Sequence, residues 1–301
     1  MTDLALAFWN LVPVTLVQGL IYAFIALGVM IPFRLLAFPD LTSEGSFPLG
    51  GCLCAVLLVA GVHPLPATLA AIVGGLLAGA STAYLHLRFR INTLLAGILV
   101  MTILFSVNLR ILGKANVALL NNETLLSMLW PGLVTDVGAQ VAVFALLMAA
   151  VLATLVWFLR TESGLSLRAV GANRALAPSL RIDPRRYVIA GLAIAGGLAA
   201  LAGAIVVQVQ GFADVQMGFG VLITGLAAVI IGETLIGRET VARQVIAPVL
   251  GSVVYYQLVS LGLALGLKPA DLKLATGVFV LLTLALPALK NKGLAVETLH
   301  E

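Results

Sequence analysis

The sequence predicts an all-α, polytopic membrane bundle of about eight to nine crossing segments, one or two of them broken or re-entrant. Three observations carry that prediction: the composition, the lengths of the apolar stretches, and the placement of the basic residues. Hydrophobic residues make up 61% of the chain and charged residues 10%, with a mean hydropathy of +1.13. A soluble domain is roughly half apolar and about a quarter charged, because its surface must face water. So few charges cannot clothe a water-soluble globule, whereas an outer surface turned to lipid needs none. Apolar stretches at about 12–33, 64–87, 91–113, 138–160, 188–208, 244–266 and 273–289 each have the ~17 to 25 residues that a crossing helix requires. The basic residues divide unevenly once Lys290 and Lys292 are set on the cytoplasmic side and both irregular stretches described below are allowed to cross. Arg34, Arg88, Arg90, Arg160, Arg168, Arg174, Arg181, Arg185, Arg186, Arg238 and Arg243 then share that side, making 13 of the 17 Lys and Arg. Arg110, Lys114, Lys268 and Lys273 remain outside. The bias satisfies the positive-inside rule and places the N-terminus outside. The net charge of +4 is therefore a topology signal and not a nucleic-acid footprint.

The elements follow in order within one membrane domain spanning 1–301. The first residues carry Asp3 and no Lys or Arg, which fits no cleaved signal peptide. After the first span, residues 35–62 are apolar but interrupted by the run from Pro39 to Pro48, which holds Asp40 and Glu44. Gly75 and Gly79 in the next span, and Gly191, Ala195, Ala199 and Gly203 later, recur at four-residue spacing and predict closely approaching helices. The connection Thr161–Tyr187 is the largest cytoplasmic segment and reads as a short amphipathic helix, roughly Leu165 to Leu180, capped by Ser163 or a neighbour. Residues 220–232, punctuated by Gly220, Gly225 and Gly232, are too short for an ordinary span and lead into a second cytoplasmic segment at about 232–243.

Asp40 and Glu44 are the candidate path residues. A carboxylate at membrane depth costs roughly 2.5–3.5 kcal/mol on insertion scales unless it meets protein or water. Irregular backbone is tolerated there only when enclosed or lining a cavity. Both features point to a translocation path, and the competing reading sets 35–48 at the cytoplasmic interface, where charges are cheap. Thr42, Ser46, Asn108 and Arg110 would add hydrogen-bonding groups to the path, and Phe47 could stack on an aromatic ligand. Arg110 alternatively anchors the outer end of its helix, and Phe47 alternatively packs. Cys52 and Cys54 fit neither a zinc knuckle nor a redox pair, and His63, His86 and His300 share no metal-ligand spacing. There is no GxxxxGK[ST] phosphate loop, and no Ser/His/Asp or HExxH arrangement on which catalysis could be built.

Three stretches bring a family into view. Thr161-x-x-Gly164-x-x-x-Arg168-Ala169-x-Gly171-x-Asn173, a span, and then Gly225-Leu-Ala-Ala-Val-Ile-Ile-Gly232 resemble the branched-chain amino acid and ribose permease superfamily of ABC importers. Tyr22-Ala-Phe-Ile-Ala-Leu-Gly28 resembles the opening of the same family, and the likeness keeps its order over nearly the whole chain. The stretches Asp40–Gly50 and Leu95–Thr102, with Asn108-Leu-Arg110, are most similar to its tryptophan/tyrosine transport permease branch. The resemblance implies a transmembrane permease subunit in a bacterial inner membrane, with no cofactor of its own and with ATP and Mg on a partner ATPase. It further implies an extracytoplasmic substrate-binding protein and a second permease copy, as a homodimer or otherwise. It assigns ATPase coupling to Gly225, Gly232, Glu233, Thr234, Gly237 and Arg238, although Gly237-Arg238-Glu239 departs from the Gly-Ser ending common in the branched-chain branch. On this reading a bulky residue at Gly232 or Glu233 should weaken coupling while sparing expression. The rivals are an ion-gradient-driven secondary transporter, which would also show broken helices and midplane charges, and an intramembrane enzyme, for which no nucleophile–base pair is visible.

Overall fold

The computed structural model describes residues 2–119 and 122–266, with isolated positions 271, 274, 277 and 278 beyond them. The span expected at 273–289, together with Lys268, Lys273, Lys290 and Lys292, lies outside the described residues but for those few positions. Helix α1 (Thr2–Met30) runs on through a π-helical turn at Ile31–Leu35, so that the first crossing covers Leu11–Leu35. The chain then leaves the helix for residues 36–42, and α2 (Ser43–Val59) resumes it for 17 residues. At 1.5 Å per residue α2 is about 25 Å long, short of the ~30 Å hydrocarbon thickness. The non-helical segment ahead of it completes the crossing, and it can do so because Leu36, Phe38, Asp40 and Thr42 are all buried in protein.

The remaining crossings begin and end on recognisable signals. Helix α3 (Pro64–Phe89) opens on Pro64 behind the His63 cap and closes at Arg90 in the left-handed region. Helix α4 (Thr93–Leu112) is capped by Asn92, whose side chain accepts the Leu94 N–H, and closes at Gly113. Beyond it lie β1 (Asn116–Ala118), a short α5 (Leu125–Leu129) and then α6 (Val137–Arg160), capped by Asp136. Helix α7 spans Glu162–Ala172, α8 Pro184–Gln210 and β2 Phe212–Asp214. A 3-10 turn at Val215–Gly218 leads to α9 (Val221–Ile236), and α10 covers Val241–Ala264. Seven helices among the described residues are long and apolar enough to cross a membrane, and α2 makes an eighth, shorter segment.

Two expectations are corrected here. The amphipathic helix anticipated over Leu165–Leu180 is α7, capped by Thr161 through Gly164 N and ended at Asn173, because the Asn173 side chain takes the Ala175 and Leu176 N–H groups and starts a turn. The stretch that looked too short at 220–232 is α9, which with its preceding turn gives a 22-residue crossing over Val215–Ile236. The β1–β2 ribbon, antiparallel with Val117 opposite Ala213, was not anticipated. It is three residues long on each side and carries no alternating apolar pattern strong enough to read.

Helices α1 and α8 form the centre: 72% and 67% of their apolar windows are buried, against 17% for α6, which faces outward. Helix α3 crosses α8 closely, so that a Cβ on Gly79 would collide with the Leu192 carbonyl oxygen. The four-residue spacing of small residues serves this backbone-to-backbone approach. The helices alternate in direction. The ribbon gathers the segments after α4 and α8 at one end, where Asn122 Nδ2 also donates to Leu58 O at the end of α2. The other end gathers Arg34, the α3–α4 turn, the end of α6, α7 and the α9–α10 turn. Eleven arginines thus sit at one end and Arg110 and Lys114 at the other, among the described residues.

Candidate functional site

The break before α2 is held by a buried polar network. Asp40 Oδ1 accepts hydrogen bonds from Thr42 N (2.9 Å) and from Thr42 Oγ1, while Thr42 Oγ1 also meets Thr82 Oγ1 of α3 at 2.7 Å. Ser46 Oγ donates to Thr42 O at 3.0 Å. Asp40 packs against α4, where a Cβ on Gly97 would lie 3.0 Å from its carboxylate oxygen. Asp40, Thr42 and Ser46 are therefore enclosed in protein, their polar atoms turned toward one another and toward α3. Phe47 is fully buried too, its ring 5.9 Å from that of Tyr22 on α1.

Glu44 stands apart from them. It is half-buried and borders a cleft of about 230 Å³ between α2, α4 and the turn that precedes α9. Gly220 N donates to its Oε1 at 3.2 Å, so the carboxylate rests on the N-terminus of α9. Pro48 lacks the N–H that would have bonded the Glu44 carbonyl, and Gly218 fills the gap: a Cβ there would collide with that oxygen. Asn108 of α4 forms the opposite wall. It is fully buried, its Nδ2 donates to Gly45 O at 3.2 Å, and its Oδ1 has no partner. Met101, Thr102, Phe105, Val215, Gln216 and Phe219 complete the cleft. Arg110 is exposed in the last turn of α4, where a cation is favoured by the helix dipole.

Of the path candidates read from the sequence, the structure thus brings Glu44 and Asn108 to one cleft and folds Asp40, Thr42, Ser46 and Phe47 into the packing behind it. Sequence reasoning missed Phe105, Gln216 and Phe219. The turn residues Gln216 and Phe219 precede α9 and carried no pattern of their own. Phe105 lies three residues before Asn108, on the same face of α4.

A second polar region lies at the arginine-rich end. Arg34 Nη2 reaches Glu233 Oε2 at 2.6 Å, joining the end of the first crossing to the last turn of α9. Beside the pair is a cavity of about 370 Å³ lined by Arg168, Arg238 and Gln244 among others. Helix α7 is pressed onto the break: a Cβ on Gly171 would collide with Leu35 O. Arg174 donates to Leu36 O at 3.2 Å and lies 5.6 Å above the Phe38 ring, which also meets the His86 ring in a T-shaped contact. Partial burial draws the Arg174 pKa below its ordinary value, although a guanidinium keeps its proton in proteins. Of the coupling candidates, Gly225 packs on Val29 of α1 and Gly232 on α10, where a Cβ would collide with Ala247 O. Thr234 bonds back to Ile230 O at 2.8 Å, Gly237 ends α9 with φ +72°, and Arg238 is exposed.

The family model described as branched-chain amino acid transport system / permease component matches residues 13–286. A tyrosine transport system permease protein of Clostridioides difficile (strain R20291) is 39% identical over 268 residues, covering 89% of this chain and 88% of the relative. An uncharacterized protein of Rickettsia prowazekii (strain Madrid E) is 34% identical over 280 residues, covering 92% and 97%. No solved structure matches.

Proposed function

The chain belongs to the branched-chain amino acid transport system permease family, and from that premise we propose that it is the membrane-spanning subunit of a bacterial ABC importer for an aromatic amino acid such as tyrosine. The observation that carries the reading is the interrupted second crossing. A break in the helix, enclosed by protein, sets an acidic side chain beside a cleft at membrane depth, which is what a translocation path requires. The name of the Clostridioides relative supports the substrate class.

In this reading the arginine-rich end faces the cytoplasm of an inner membrane, with the N-terminus outside and the C-terminus, with Lys290 and Lys292, inside. ABC ATPase subunits, carrying ATP and Mg, dock on α7 and the α9–α10 turn. An extracytoplasmic binding protein delivers substrate at the ribbon end, and a second permease copy completes the pathway. Closure of the ATPases moves α7, and the contacts of Gly171 and Arg174 with residues 35–38 pass that motion to the break beside Glu44. Access to the cleft then alternates between the two sides.

The test is uptake of labelled L-tyrosine into proteoliposomes holding the chain, the ATPase and the binding protein from the same genome. Uptake should require ATP on the ATPase side and survive an ionophore that collapses ion gradients. Uptake that ignores ATP and stops with the ionophore would move the chain to gradient-driven transport.

A further inference from the structure

We propose that the cleft beside Glu44 is a subsite for a primary ammonium group, so that the solute it takes is an amine with an apolar or aromatic body. The inference deepens the importer reading and rests on it for the claim that the cleft is on the path; the binding chemistry stands on the residues themselves.

Two side chains fixed at this cleft, Glu44 and Asn108, present acceptor oxygens. Glu44 brings a carboxyl side chain to the cleft, and no Lys, Arg or His among the described residues pairs with it or borders the cleft. The Gly220 N–H bonds its carboxylate, and a carboxylate offers about four lone-pair sites, so acceptor capacity remains. Asn108 supplies the second acceptor. Its amide orientation is set by Nδ2 donating to Gly45 O, since the flipped amide would bring two oxygens together. That leaves Oδ1 buried with no partner, and an unsatisfied buried acceptor costs about 1–3 kcal/mol until something donates to it. A single donor with several N–H groups and a positive charge meets both demands.

Other ligand classes fit less well. An anionic group would face the Glu44 charge. A sugar would donate hydroxyls but leave that charge without a counter-ion. A helix N-terminus is the usual seat for a substrate carboxylate in transporters, but at α9 that seat is taken by Glu44 itself. In this chain the protein supplies the anion and the solute supplies the cation. Apart from Thr102 and Gln216 the rest of the wall is apolar, with Met101, Phe105, Phe219 and Pro48 available to the body of the solute.

The experiment measures thermal stabilisation of the purified permease–ATPase complex by tyramine and by 3-(4-hydroxyphenyl)propanoate, which keeps the phenol and lacks the amine. Tyramine should raise the melting temperature in a saturable way and the propanoate should not. Glu44→Gln, which keeps an oxygen for the α9 N-terminus, should weaken tyramine at least tenfold, and Asn108→Leu should weaken it severalfold. Equal stabilisation by the propanoate, no response to tyramine, or an unchanged tyramine affinity in Glu44→Gln each overturns the subsite. The comparison of the two ligands needs no variant, so it decides the matter even if a substituted chain fails to fold. ATP-dependent tyrosine uptake is scored separately: its loss alongside intact tyramine binding sinks the importer reading, and its presence with no amine preference sinks the subsite alone.

Discussion

Asp40 and Glu44 are four residues apart and of the same chemistry, yet they do different work, because the helix begins between them. Had the chain been helical throughout, they would have shared a face. Instead α2 starts at Ser43, and the non-helical approach turns Asp40 inward onto Thr42 while Glu44 comes round on the first turn to the cleft. The sequence marks both carboxylates as out of place in an apolar run, and Pro39 and Pro48 mark the break. It cannot say which one faces the cleft, since that depends on the residue at which the helix restarts and on Thr82 and Gly97 in other helices. The consequence is a difference in phenotype. Asp40→Ala strips a buried N–H and a buried hydroxyl of their acceptor and should lower unfolding stability by about 1–3 kcal/mol. Glu44→Ala, at a half-exposed position, should cost less stability and act chiefly on transport. Denaturation of the two detergent-purified variants checks this; equal destabilisation would mean that Asp40 is not the buried anchor of the break.

Among the elements, α7 and the end of α9 converge on the end of the first crossing. The arginine-bearing connection and the glycine-punctuated helix are both visible in the sequence as distinct segments. Their meeting point is not, because Arg34 and Glu233 are 199 residues apart and pair only once α1 and α9 pack. The structure also separates two positions that the sequence grouped. Gly232 lies where α9 meets the Ala247 carbonyl of α10, so Gly232→Leu should lower the melting temperature and the yield of folded protein. A bulky residue there cannot report on coupling while sparing expression. Glu233 is the cleaner probe. Its side chain is 15% exposed and that of Arg34 41%, so the ion pair contributes on the order of 1 kcal/mol or less to stability. Arg34→Glu or Glu233→Arg alone should leave folding nearly intact and reduce ATP-driven uptake severalfold, and the double exchange should restore most of it. Failure of the exchange to restore uptake would show that Arg34 and Glu233 act separately.

At the scale of the whole molecule, the arginine bias carried most of the architecture. Charge at loop positions is a local property of sequence, and it sorts into two ends for simple reasons of helix alternation. The β1–β2 ribbon was invisible because its pairing links segments almost a hundred residues apart and buries little. The two ends of the bundle are distinct in the structure, and their assignment to the two sides of the membrane is a separate claim that can be tested directly. Cys52 and Cys54 are both fully buried and free, so they supply a quiet background for maleimide labelling. Lys114 lies exposed beyond α4 at the ribbon end, and Arg185 lies exposed at the start of α8 at the arginine-rich end. In intact cells a membrane-impermeant maleimide should label Lys114→Cys at once and leave Arg185→Cys unmodified until the membrane is permeabilised, while the unsubstituted chain stays dark throughout. Because each helix fixes the direction of the next, the two sites suffice to orient every described crossing. The opposite labelling pattern would invert the protein in the membrane and place the α7 and α9–α10 surfaces, with the Arg34–Glu233 pair, on the side where no ATPase can reach them.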